Sequence, residues 1–331
     1  MIGDFLVGRL GRRRRLVFTI DMLGGKLGDE IDSTAKTRAD TMMTRLLILA
    51  MIASSQGGLE PEHEPNVIYR QLVGEGWDLG ERKLVLPPPL AVDGQTATAE
   101  QARLVALAGS ERAAQDLVRD SVTAPFIIKV RDEKTTDATV RIADTWFVVR
   151  ADLTSLDPEK QARAADQKRV EAANMLFETR MLGEREIESS GAPTRLDKAS
   201  VWYAHVTGRL LDRIAVEATN EAVATRSPSS IVVASRVSER FTGANATGWK
   251  PVTKENASGA FKPYRGGVSY TKISKMATRP GMLLVESHLA FAEPDAWFQG
   301  APILRSKLSI VAQDQIRRLR RELAKVASKS R

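Results

Sequence analysis

The chain of 331 residues is 43% apolar and 27% charged, enough to bury a core in one large domain or two small ones. It holds no cysteine, which excludes disulfides, thiolate metal sites and a cysteine nucleophile together. The net charge of +8 resides at the ends: residues 1–55 carry nine basic against six acidic side chains, residues 303–331 nine against two, and the nearly neutral body between them argues against nucleic acid as a partner.

Residues 1–41 show neither helical nor strand periodicity, and even the run Arg12 to Arg15 has no globular context. They read as an over-extended or disordered segment. Residues 42–55 carry the parts of a signal peptide in order: Arg45, then the eight apolar residues Leu46 to Ala53, then small residues through Ser55. The expectation is export to the periplasm or beyond after cleavage near Ser55, the alternative being a buried helical turn of a cytoplasmic protein. Eight apolar residues fall well short of the roughly 18 that span a bilayer, so no transmembrane segment is expected in the mature chain.

Residues 56–97 read as an extended lead-in and connector. QGGLEPEHEPN is acidic and proline-rich, which places His63 in a solvated tail rather than on a metal. Val67 to Gly80 forms a short amphipathic element whose glycines miss the dinucleotide spacing. Pro87 to Pro89 fix an extended spacer.

Residues 98–331 read as a single α+β domain. Two helix pieces are expected over 98–122, broken at Gly109-Ser110. FIIKVRD and ATVRIADTWFVVRADL alternate with a period of two about the polar turn DEKTTD, a hairpin signal. A charged helix is expected from Pro158 toward residue 190, capped by Asp157. Residues 200–237 carry three β-rich stretches, punctuated at Leu211-Asp212 and Arg226 to Ser229, and 267–294 form a further hairpin around Arg279-Pro280-Gly281. Strands that come in runs favour a largely antiparallel sheet with flanking helices over a doubly wound fold. The chain closes on a basic amphipathic helix with Leu308, Ala312, Ile316, Leu319, Leu323 and Val326 on one stripe.

Few residues invite chemistry. His205 lies in a strand, and His288 shares a strand face with Glu286, two residues away, which is half of an acid–base pair or of a metal site. A half-solvated sheet face gives the same pattern, no third ligand is indicated, and neither a metal nor a cofactor is expected. No serine-hydrolase, zinc, EF-hand or P-loop motif is present. The stronger feature is the cationic set Arg317, Arg318, Arg320, Arg321 and Lys325, suited to an anionic envelope component or to a protein partner.

The segments APFIIKV, DTWFVVRADL, VWYAHVTGRLLDRI, PGMLLVESHLAFAEPDAWFQGAPILRSKL and QIRRLRREL together resemble an uncharacterised family of exported bacterial proteins, over most of residues 66–325. That resemblance implies export and no particular chemistry. Two functions follow as expectations: an exported, non-catalytic envelope or binding protein, or a hydrolase without a standard motif that pairs His205 or His288 with a carboxylate.

Overall fold

A computed structural model describes residues 60–164, 166–252, 260–298 and 301–329, with side chains as far as Ala324 and without that of residue 172. The expected segment 1–41 and the expected signal peptide at 42–55 lie outside the described residues. The fold is α+β: an antiparallel sheet with helices on both faces.

The chain enters through helix α1 (Val67–Arg70), which continues as a wide turn over Gln71–Glu75 and reaches the short pair β1 (Trp77–Asp78) and β2 (Lys83–Leu84). Asn66 caps α1, its Oδ1 accepting from the Tyr69 amide at 3.0 Å. Helices α2 (Ala97–Ala108) and α3 (Glu111–Leu117) break where expected. Gly109 takes the left-handed conformation at φ 84°, and Ser110 caps α3 through the Ala113 amide.

Strands β3 (Ile127–Lys134) and β4 (Ala138–Arg150) form the first hairpin. The chain then crosses to the far edge of the sheet through α4 (Pro158–Ala164). Here the long charged helix expected after Pro158 gives way to a hairpin, β5 (Arg169–Ala172) and β6 (Met175–Met181), followed by α5 (Glu184–Ser189). The two-residue turn Ala173-Asn174 has φ of 53° and 61°, the left-handed conformation that matches strand twist. The register of β6 against β7 (Ser200–Leu210) then fixes as strand what propensity alone leaves helical.

Strands β7, β8 (Ile214–Arg226) and β9 (Ser230–Val237) follow as a meander, and β10 (Gly248–Pro251) and β11 (Lys262–Pro263) hang from the outer end of β8. The final hairpin, β12 (Gly267–Lys275) and β13 (Met282–Pro294), slots between β9 and β4, so the main strand order is β3-β4-β13-β12-β9-β8-β7-β6-β5. The insertion makes β4 central enough to be buried from Ala138 to Val149.

One face of the sheet is covered by residues 60–93 and by α2 and α3. Ile68, Tyr69, Leu72 and Leu86 pack there on Val223, Val232, Ala234 and Tyr270, while Leu104 and Leu117 pack with Val148 and Leu284. Each such buried aliphatic side chain contributes about 1.5–3 kcal/mol. The residues expected to form a solvated lead-in and connector are therefore a strap built into the core, and 60–97 belongs to the same compact unit as the rest of the described chain.

The opposite face receives the C-terminal helix α6 (Ile303–Lys329). Ile316 is buried on Phe147, Val149 and Leu283, with Leu323 beside it, and Leu304 is buried near Trp249 and Trp297. Among the described residues no helix is long and apolar enough to cross a membrane.

Candidate functional site

In an antiparallel sheet, directly opposed residues stand on the same face. The register pairs Asp144 with His288, Trp146 with Glu286, His288 with Tyr270 and Glu286 with Lys272, which lays a polar row across three strands beneath the strap. The His288 Nδ1–H donates to Asp144 Oδ1 at 2.8 Å, and the ring stacks on Tyr270 with 4.6 Å between centroids. Asp144 also accepts from Arg131. Burial pushes the Asp144 carboxyl up, but His288 and Arg131 outweigh it and hold it below the usual carboxylate range.

Glu286 lies on the expected face but does not bond to His288. Its oxygens accept from the amides of Leu90 at 2.6 Å and Ala91 at 2.8 Å and from the Trp146 indole at 3.0 Å. Burial drives its pKa up, against those three donors and against His288. His288 and Glu286 are 1% and 0% exposed, so this row fastens the strap to the sheet and offers no approach to a substrate.

A second cluster adjoins this row at Lys272, where the two ends of the strap meet, and only the fold brings it together. The Lys272 ammonium, fully buried, donates to both Glu60 oxygens at 2.7 and 2.6 Å and to the Ala91 carbonyl at 3.1 Å, and lies 3.1 Å from Asp93 Oδ1. Asp93 Oδ2 accepts from Ser230 at 2.8 Å and from Ser227. Burial raises the Asp93 carboxyl, but the Ser227 hydroxyl, the Lys272 ammonium and the Ser230 and Ser229 hydroxyls together bring it down to about 2.

His63 belongs to this cluster. It is 0% exposed, not part of a solvated tail, with Nδ1 2.9 Å from Thr225 Oγ1 and Nε2 2.7 Å from Ser230 Oγ. Since the Ser230 proton goes to Asp93, Ser230 accepts from His63 Nε2–H, and the Thr225 hydroxyl is the partner of Nδ1. Burial, reinforced by Lys272, lowers its pKa despite the nearby carboxylates.

Two chemical readings of this cluster fail on geometry. Ligand atoms of Glu60, His63 and Asp93 lie within 4.8 Å of one another, a spacing that suits a metal ion, but the Lys272 ammonium already occupies the carboxylates. Serine, histidine and aspartate are also present, yet Asp93 bonds the serine, while the imidazole Nδ1 that a triad carboxylate would hold faces Thr225. The cluster is a buried ion set that holds residues 60 and 93 against β8, β9 and β12. The sequence carries little sign of it, because EPEHEPN has the composition of a solvated tail.

His205 is not brought near His288. It sits on β7, with β8, β9 and β12 intervening before β13, a lateral separation of about 19 Å at the usual strand spacing. Its Nδ1–H donates to Thr219 Oγ1 at 2.9 Å, since the Thr219 hydroxyl itself donates to the Asn245 carbonyl. Burial, followed by the nearby Arg180, lowers its pKa against the pull of Glu186. No carboxylate hydrogen-bonds the ring among the described residues.

The cationic set on α6 divides. Arg320 is 6% exposed and donates to the carbonyls of Val148 at 3.0 Å, Ala124 and Pro125 at 3.2 Å. It is removed from the expected binding surface because its fork is spent pinning the helix. Arg317, Arg318 and Arg321 are exposed and form no ion pair among the described residues, and the Lys325 side chain lies outside them.

The α6 stripe faces the sheet without filling the space beneath it. On one side a cavity of about 490 Å³ runs along β3, β4 and β13, with Phe147, Thr145 and Ser287 on its floor and Gln315, Arg318 and Glu322 on its helical wall. On the other a cavity of about 310 Å³ reaches over β6, β7 and β8, walled by Phe177, Leu210, Val216, Phe291 and Trp297, with Asn220 its one amide side chain. The two meet at Leu289, Leu308 and Val311. Leu308 thus lines open space, and Leu319, expected on the docking stripe, is 36% exposed.

No protein-family model matches the chain. A comparison with curated proteins finds no match either.

Proposed function

We infer that this is an exported, non-catalytic binding protein that holds an apolar ligand in the seam between its sheet and its C-terminal helix. One observation carries the reading: two cavities under α6 share Leu289, Leu308 and Val311 and are lined mainly by apolar side chains, whereas His63, His205, His288 and Glu286 are buried and hydrogen-bonded within the protein. Protein interiors pack densely, and seams of about 300–1,000 Å³ lined by apolar side chains are the usual form of a ligand site. The hydrolase alternative, His205 or His288 with a carboxylate, has less support: His288 pairs with Asp144 but is 1% exposed, and His205, 6% exposed, bonds Thr219 rather than a carboxylate.

Binding is tested with the uncharged dye N-phenyl-1-naphthylamine, whose fluorescence rises in apolar surroundings. Saturable binding to the full chain is expected, together with its loss in Val311→Trp, which fills the junction of the two cavities while the melting temperature holds or rises. Dye uptake that never saturates, or that V311W leaves unchanged, overturns the reading. Export is tested separately by mass spectrometry of the native N-terminus. A terminal peptide that begins near Gln56 supports it, and an intact Met1 refutes it.

A further inference from the structure

We propose that the ligand is a single-chain amphiphile with an anionic head, its tail in the smaller cavity and its head beside Arg318 in the larger one. The proposal rests on the reading of the seam as a ligand site and adds the chemical class and direction of the occupant.

Polarity is graded along the seam. The smaller cavity is bounded mainly by aromatic and aliphatic side chains, a surface that accepts hydrocarbon, and its polar groups, the Asn220 amide, the Tyr264 hydroxyl and the unpartnered Trp297 indole N–H, are all uncharged. The larger cavity adds the hydroxyls of Thr145 and Ser287, the Gln315 amide and two ionisable side chains, Arg318 and Glu322. The two cavities share Leu289, Leu308 and Val311 as lining under one helix, a narrow junction that favours one chain over two.

The sign of the head follows from the helix that roofs the seam. Residues 303–324 carry six basic side chains against Asp314 and Glu322, and Arg317, Arg318 and Arg321 form no ion pair among the described residues. Arg318 is the cation that lines the cavity itself, and a guanidinium fork accepts a carboxylate or phosphate through two parallel hydrogen bonds. Glu322 on the same rim opposes an anion and so sets a limit on affinity that a neutral residue would lift.

The test displaces the bound dye from the full-length protein with decanoate or with decan-1-ol, which differ in the head alone. Decanoate is expected to compete about five- to tenfold better than the alcohol, an advantage that shrinks as salt is raised toward about 1 M. Arg318→Ala should erase the advantage while leaving decan-1-ol unchanged, and Glu322→Gln should tighten decanoate alone. V311W should abolish both. Equal competition by acid and alcohol, or an R318A variant that keeps the preference, overturns the anionic head while the apolar seam stands. Failure of both compounds to displace the dye from folded protein overturns the seam itself. Decanoyl phosphate in place of decanoate distinguishes a phosphate head from a carboxylate by its relative affinity.

Discussion

Replacing Lys272 with methionine tests whether the strap is held by a buried ion set. The substitution keeps an unbranched side chain one atom shorter and removes the ammonium, which leaves Glu60 and Asp93 facing each other without their common cation. Removing one partner of a buried pair costs about 3–5 kcal/mol, because the remaining charge stays desolvated. The two carboxylates are 14% and 13% exposed, so water reaches them in part and the lower end, about 3 kcal/mol, is expected. At roughly 2–4 °C per kcal/mol for a domain of this class, melting should fall by about 6–12 °C. Urea denaturation at neutral pH should show the same loss as a shift in midpoint at constant slope. Two accompanying signs distinguish this cause from a simple cavity. Adding Glu60→Gln and Asp93→Asn to K272M should recover much of the loss. The His63 pKa, lowered in part by Lys272, should rise in K272M by proton NMR titration, with the carboxylates then left to hold the imidazolium. A K272M protein as stable as the parent, with an unmoved His63, refutes the ion-set assignment.

Glu286→Ala orphans the Leu90 and Ala91 amides and the Trp146 indole, and should cost about 3 kcal/mol in urea, with Glu286→Gln costing less; equal costs for the two would count against these hydrogen bonds. Arg320→Met strips a buried donor from three carbonyls and should cost about 2 kcal/mol, whereas exposed Arg317→Ala should stay within about 0.5 kcal/mol, a contrast read from paired melts. Burial holds His63 and His205 below the ordinary histidine value of 6.5, so the folded state resists protons that the unfolded state accepts. Their contribution to stability is complete above about pH 6.5 and is lost as pH falls below it, so denaturation midpoints should drop between about pH 7 and 5, and a flat profile would contradict the buried neutral rings. Gly266→Ala should cost at least about 2 kcal/mol, since φ is +77° and a Cβ would meet Val237 Cγ2 at 2.2 Å; a neutral melt would show that this turn relaxes.

The sequence by itself determined the local pieces. Alternation of period two with turn residues at Arg226 to Ser229 and Arg279 to Gly281 specifies hairpins, because strand pairing between neighbours needs only local register. Gly109 ends one helix through its left-handed backbone, and the Ser110 hydroxyl caps the next, both local interactions. It also determined a basic last helix, though not that Arg320 turns inward while Arg318 lines a cavity.

Tertiary structure alone decided what surrounds each strand. Val268, Tyr270 and Lys272 share one face by alternation, but whether that face is wet depends on the strap, whose Glu60 lies 212 residues from Lys272. Likewise EPEHEPN has too little apolar content to fold locally, and becomes ordered because Thr225, Ser230 and Lys272 supply its partners. The seam under α6 exists because β12 and β13 insert between β9 and β4 and set β13 beneath the helix, a long-range pairing that no local pattern encodes.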